Sequence, residues 1–448
     1  MPCARSTSRR SVTSPSVTSA SSPGARARSR SRSRRCRPSA RPEKRRGRFV
    51  SRAQQPSKRA RALIVLALVA PGLLGIAGCG ARDRSQTLRP TGSIETTQTS
   101  ATVPPPPLAG VVQPPEKGAY LGIYRPPAPF RTYILDEFES VSPKQPAILM
   151  WYQPWAEDGP NTFDSGMAVR LWEAGYTPLI TWEPWNPGTN ANFVRDPANQ
   201  SRYRLTHIVG GDFDPYIRQF ARDVAAARGP VMIRLMHEMN GNWYPWCGTV
   251  NGNKPKEYVA AWRHIHDIFE AEGATNVTWV WSINHESVPD DSGNAYKVYY
   301  PGDEYVDWVA MSGFNWGTTS PYSSWQTFEY WYKKPMAFLK TLDKPVIIAE
   351  FGSVEQGGDK AAWLTDAYKR IRTAYPYVRA VVYYDSREEG PETTQDWRLE
   401  TSAKSVAAYR KATDLSYFVG APTSALKSWE ASLTSDHYLY LRLIDPLY

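Results

Sequence analysis

Two glutamates stand where apolar runs end. Glu238 follows "VMIRLM" from Val231 and opens into "NGNWYPWCG", and Glu350 closes "PVIIA" from Pro345 just before Phe351 and Gly352. A carboxylate at the tip of a buried strand must face something, and two of them across one rim have a defined use. One carboxylic acid protonates the leaving oxygen of a glycosidic bond while the other attacks the anomeric carbon or activates a water. His237 beside Glu238, and Arg234 in the same run, are placed to tune charge around the pair.

Aromatic residues gather at the same positions. Trp151, Trp155, Trp182, Trp185, Trp243, Trp246, Trp281 and Trp316 lie at or just beyond expected strand ends, which is 8 of the 17 tryptophans. Indoles offer platforms to the flat C–H faces of sugar rings, and Gln153, Glu183, Asn240 and Asn284 offer hydrogen bonds to hydroxyls. Large aromatics also pack barrel tops, but eight at one rim favour a binding cleft. The expected substrate contacts are His237, Trp243, Trp155, Trp182, Glu183, Asn240, Trp316 and Tyr384.

Other chemistries fit less well. "HEMNG" lacks the second histidine of a zinc protease, since Gly241 stands in its place. His264 and His266 are two apart on an expected helix and diverge, so no metal is called for. Cys247 has no neighbouring base to activate it as a nucleophile. No cofactor is implied.

These side chains need a scaffold that brings strand ends together. Eight near-continuous apolar runs start at Ala119, Pro146, Thr177, Val231, Val277, Asp307, Pro345 and Arg379, the pattern of parallel strands buried on both faces. Amphipathic stretches such as "DPYIRQFARDVAAARG" and "PKEYVAAWRHIHDIFEAEG" separate them, with prolines near their starts and Gly229 and Gly273 as stop signals. Repeated strand–helix units over residues 118–414 predict an α/β fold, a (β/α)8 TIM barrel whose active residues sit at the C-terminal strand ends. An open doubly wound sheet would want a Gly-rich phosphate loop after its first strand, and "YLGIYRPPAPF" is not one.

The net charge of +11 is unevenly spread. Residues 1–61 hold 19 of the 54 basic residues and one of the 43 acids, leaving 35 against 42 and a net of −7 for the rest. A nucleic-acid partner is therefore not expected. Residues 1–61 are a low-complexity basic segment ending in the charged n-region of an export signal. Residues 62–79 supply its apolar core, and Ile76-Ala77-Gly78-Cys79 resembles a bacterial lipobox, which implies lipid attachment at Cys79. Initiation near Val50 would give that signal an ordinary length. Residues 80–117 read as a Thr/Pro-rich tether with four consecutive prolines, and residues 415–448 as a C-terminal tail without a clear period. The expectation is an extracytoplasmic, membrane-anchored or secreted monomer without disulfides.

The ordered set "RLMHEMNGNWYPWCG", "WVWSIN", "YYPGDEYVDWVAMSGFNWG", "KPVIIAEFGS" and "DWRLETSAKSVAAYR" resembles the successive motifs of glycoside hydrolase family 26, over about Gly118 to Thr413. That family holds β-mannanases with some β-glucanases and β-xylanases. The resemblance implies a retaining double displacement in a polysaccharide hydrolase, with Glu238 as acid/base, Glu350 as nucleophile and His237 as the residue beside the acid/base. One departure stands out. Many members carry an aspartate and a tyrosine after the sixth strand, the tyrosine hydrogen-bonding the nucleophile, where this chain has Ser312 and Phe314. Either Tyr383 or Tyr384 then orients Glu350, or the chain takes a substrate other than mannan. The resulting expectation is an endo-acting β-glycoside hydrolase on β-mannan or a related β-glycan. The alternative is a non-catalytic glycan-binding lipoprotein serving exopolysaccharide or envelope assembly.

Overall fold

A computed structural model describes residues 109–131, 133–156, 161–188, 197–389 and 394–421. The basic segment, the export signal with Cys79, and residues 422–448 lie outside the described residues. Eight parallel strands form β1 (Ala119–Tyr124), β2 (Ile148–Pro154), β3 (Thr177–Glu183), β4 (Val231–Leu235), β5 (Val277–Asn284), β6 (Trp308–Asn315), β7 (Val346–Ser353) and β8 (Val378–Tyr384). They pair in chain order, and β8 closes on β1 from Tyr120↔Ala380 to Tyr124↔Tyr384. The result is the expected (β/α)8 barrel.

Helices α1 (Tyr133–Phe138), α2 (Ser165–Glu173), α3 (Leu205–Val209), α4 (Asp214–Ala227), α5 (Pro255–Ala271), α6 (Phe328–Leu339), α7 (Lys360–Thr373) and α8 (Ala403–Thr413) follow in turn. In α5, Pro255 pre-sets the first turn, and Glu257 Oε2 accepts from the Lys254 N–H at 2.8 Å. Its buried Tyr258, Ala261, Trp262, Ile265, Ile268 and Phe269 recur at helical spacing. Gly273 takes the left-handed stop at φ 75, whereas after α4 that position falls to Arg228 at φ 58. Gly229 serves close packing instead, because a Cβ there would sit 2.9 Å from Trp172 Cγ.

The core divides by strand face. Leu149, Trp151, Ile180, Trp182, Ile233, Trp281, Val381 and Tyr383 point outward into the helix layer. Met150, Leu179, Met232, Val280, Ala310, Ala349, Val382 and Tyr384 fill the barrel interior. Period-two alternation thus separates the two sets along most strands.

The domain reaches further at both ends than residues 118–414. Residues 109–117, expected in the tether, cross the N-terminal mouth of the barrel: the Ala109 N–H donates to Arg228 O at 2.8 Å, and the Val112 N–H to Thr278 Oγ1 at 2.7 Å. The Trp308 indole donates to Val112 O at 2.9 Å, and Arg379 donates to Pro115 O. At the other end, a short strand at Phe418–Val419 pairs with Ala119 and Tyr120 of β1. That edge is open because β2 meets β1 only from Gly122 onward.

Candidate active site

The strands present their alternate residues to a cleft of about 710 Å³ at their C-terminal ends. Tyr152, Glu183, Asn284 and Tyr384 reach it by simple alternation from interior residues lower on the same strands. Glu350 does not. Ala349 packs inside the barrel and Phe351 outside, so strict alternation after Ala349 would send Glu350 outward. Register shifts between Met311 and Ser312 against β6, and between Ile348 and Phe351 against β8, mark a bulge that turns two successive residues inward.

Glu238 is placed by a turn rather than by a strand. β4 ends at Leu235, and Met236 and Glu238 take φ of 44 and 54, a conformation costing non-glycine residues about 1–2 kcal/mol each. The Met236 N–H donates to Trp182 O at 3.1 Å and the Glu238 N–H to Ser282 O at 2.9 Å, which hold the turn against the neighbouring strands. Such strain concentrates at sites where direction matters more than stability.

Arg234 is fully buried and organises the floor of the site. Its guanidinium donates to Glu350 Oε1 at 2.5 Å, Ser312 Oγ at 2.6 Å, Ser282 Oγ at 2.9 Å and Thr181 Oγ1 at 3.3 Å. The Tyr152 hydroxyl donates to the same Glu350 oxygen at 2.5 Å. Burial raises the Glu238 carboxyl to about 7, helped by the Glu350 charge and opposed by Arg234, Ser312 and Trp243. The Trp243 indole N–H meets Glu238 Oε2 at 2.9 Å. That indole lies over Gly241, where a Cβ would come 2.5 Å from Trp243 Cζ2.

A third carboxyl adjoins the pair. Burial pushes Glu183 up to about 8 against the hydrogen bond from the Trp185 indole at 3.0 Å. His237 lies between, with Nδ1 3.6 Å from Glu183 Oε1 and Nε2 4.0 Å from Glu350 Oε1. Burial, then the Arg234 cation, hold its imidazole well below the ordinary range, so it is neutral. Glu388, on a hairpin of Arg387–Glu389 with Thr394–Asp396, adds a further carboxyl to the wall and accepts from Tyr384 at 2.5 Å.

Of the residues expected at the site, Glu238, Glu350, Glu183, Trp243, Trp316 and Tyr384 line the cleft together. Trp155, Trp182 and Asn240 do not, and His237 sits behind the wall, buried. Trp182 is on the outward face of β3, stacked on Phe220 at 4.3 Å, and Trp155 packs against it at 5.0 Å. Asn240 is fully buried and ties two loops together: Nδ2 donates to Asn284 O and Glu286 O, and Oδ1 accepts from the Asn284 N–H. A strand end carries side chains on both faces, and Trp155 and Trp182 take the face toward the helix layer rather than the cleft. Three of the eight, Trp185, Trp243 and Trp316, line the cleft.

The partner expected from Tyr383 or Tyr384 comes from elsewhere. Tyr383 donates outward to Trp397 O at 2.8 Å and Tyr384 to Glu388, while Glu350 receives Tyr152 from β2. The available signal was alternation: Tyr152 is two residues beyond the interior Met150. Burial raises the Cys247 thiol to about 12, so it is not a thiolate. Among the described residues no His, Cys, Asp and Glu cluster is arranged to hold a metal ion, and no helix is long and apolar enough to cross a membrane.

The sequence model of glycosyl hydrolase family 26 matches residues 142–378. Endoglucanase H of Acetivibrio thermocellus is 39% identical over 267 residues, covering 58% of this chain and 26% of that protein. A mannan endo-1,4-beta-mannosidase of Bacillus subtilis is 23% identical over 198 residues, covering 40% of this chain and 53% of the relative. The chain thus spans about a quarter of the first and half of the second. Among solved structures, GH26C from a Muricauda species superposes with a TM-score of 0.51 at 14% identity, over 70% of this chain and 89% of that one. That likeness concerns the fold.

Proposed function

The chain belongs to glycosyl hydrolase family 26, and from that membership we propose that it is a retaining hydrolase of internal β-glycosidic bonds in a polysaccharide, acting on a β-glucan in preference to a β-mannan. The observation that carries the reading is the pairing of two carboxyls with opposite surroundings on one cleft. Glu350 is held by the Arg234 cation and the Tyr152 hydroxyl, and Glu238 keeps its proton up to about pH 7. A buried carboxyl that keeps its proton, facing one held by a cation and a hydroxyl, divides the pair into acid and nucleophile.

In the first step Glu350 attacks the anomeric carbon as the bond to the leaving oxygen breaks, and Glu238 passes its proton to that oxygen. The glycosyl-enzyme ester carries no charge at Glu350. One of the causes that raise Glu238 is then gone, and the carboxylate it has become takes the proton of an incoming water. The preference for β-glucan rests on two supports. The relative of higher identity is named an endoglucanase rather than a mannosidase, and Ser312 and Phe314 occupy positions where many members carry aspartate and tyrosine. Trp185, Trp243 and Trp316 line the sugar path.

Product analysis on mixed-linkage β-glucan, β-mannan and β-1,3-xylan tests this, using residues 109–448 beside Glu350→Ala and Glu238→Ala. Turnover of the glucan, lost at least about a thousandfold in Glu350→Ala, is expected. Glycan binding without turnover on any polymer would transfer the assignment to the non-catalytic lipoprotein. We also propose export and lipid attachment at Cys79, which mass spectrometry of the membrane-bound N-terminal peptide checks; an unmodified thiol there would count against it.

A further inference from the structure

We propose that Tyr152 is a positioning residue for Glu350: it pins one carboxylate oxygen so that the other attacks, and it stabilises the carboxylate as it departs. The inference rests on the reading of Glu350 as nucleophile. Both strong donors, Arg234 Nη1 and the Tyr152 hydroxyl, converge on Oε1 at 2.5 Å each, and among the described residues no hydrogen bond reaches Oε2. Charge-assisted donors draw electron density from the oxygen they hold, so Oε2 keeps its lone pairs for the anomeric carbon.

Tyr152 is itself well fixed. Its ring meets Tyr124 edge-on at 5.0 Å and His237 at 6.0 Å. The other aromatic near this position, Phe314, has no hydroxyl and packs on Tyr384 at 5.2 Å and Trp397 at 4.7 Å. The second strand therefore supplies the donor that the sixth lacks.

The chemistry gives this hydroxyl its largest effect late in the cycle. When the Oε2–C1 bond forms and the leaving oxygen takes the Glu238 proton, Oε1 becomes an ester carbonyl and its bond to Tyr152 weakens. When water adds to C1 and the C1–Oε2 bond breaks, the electron pair returns to Glu350 and the proton of the water goes to Glu238. Tyr152 regains an anionic acceptor in that second step. Its loss slows release of the glycosyl-enzyme more than its formation.

Steady-state and burst kinetics on an aryl β-glycoside with an activated leaving group test this in Tyr152→Phe, with Glu350→Ala alongside. A hydrogen bond to a charged group is worth about a tenfold to hundredfold change. We expect kcat to fall by that factor and KM to fall with it, leaving kcat/KM within about threefold, and a covalent adduct on the Glu350 peptide to accumulate at steady state. Unchanged kcat, a fall in kcat/KM with KM constant and no adduct, or failure of the variant to fold would each overturn the proposal. Wild-type turnover in Glu350→Ala, or an adduct on another residue, would instead sink the nucleophile assignment and the inference with it.

Discussion

Glu238 keeps its proton to about pH 7 because burial and the nearby Glu350 charge disfavour its anion, while Trp243 donates to that anion and pulls the other way. Removing the indole donor therefore raises the carboxyl further. Trp243→Phe should move the alkaline limb of kcat/KM to higher pH and lower kcat at the optimum by about tenfold, read from pH–rate profiles; a limb that stays put would assign Trp243 to stacking alone. At this scale the sequence was informative about charge and poor about direction. Glu238 and Glu350 stood out because carboxylates at the ends of apolar runs are costly unless used. Trp155 and Trp182 belong to the helix layer and Tyr152 to the cleft, a division that a strand end by itself does not reveal.

Alternation would have settled most of those faces, since Met150–Tyr152, Leu179–Glu183 and Val382–Tyr384 are in phase along their strands. It fails at Glu350, where the bulge in β7 shifts the phase and nothing in "PVIIAEFGS" announces it. The turn after β4 is equally specific. Gly241 is glycine because the Trp243 indole lies on it, so Gly241→Ala displaces the ring that bonds Glu238. That variant should lose roughly tenfold in kcat with a melting temperature within a few degrees of wild type. A large loss of stability with normal kcat would show that the loop relaxes elsewhere. The segment 109–117 was legible only as Pro-rich text, because its docking depends on carbonyl and N–H groups rather than on side-chain pattern. A chain starting at residue 118 leaves the Trp308 indole and the Arg379 guanidinium without those acceptors, and should unfold at about 1–3 kcal/mol less cost than one starting at 109, measured by urea titration.

The eight strands and their closure could be read from the chain because parallel strands buried on both faces leave long apolar runs, and every expected run has its strand. What the runs do not disclose is how much ionisable chemistry the barrel top buries, and that sets how the whole molecule responds to pH. Glu183, Glu238 and Asp385 are raised by burial to about 8, 7 and 6. Each is neutral and favourable at low pH, and each costs stability as pH climbs from its ordinary value to its value in the fold. His237 and His285 are lowered by burial and act oppositely, their cost falling as pH rises toward 6.5. Lys360, lowered to about 8, regains stability only above that. Between pH 7 and 8 the histidines and Asp385 have finished titrating, the last part of the Glu238 cost is offset by the first part of the Lys360 gain, and the largest change left among these groups is that of Glu183. The melting temperature should therefore fall from pH 7 to 8 and recover toward pH 9. Glu183→Gln should match wild type near pH 5 and exceed it at pH 8, with the fall between 7 and 8 abolished in thermal melts. A parallel fall in both proteins would place the cost on another buried carboxyl, Glu388 on the cleft wall being the next candidate because burial raises it as well.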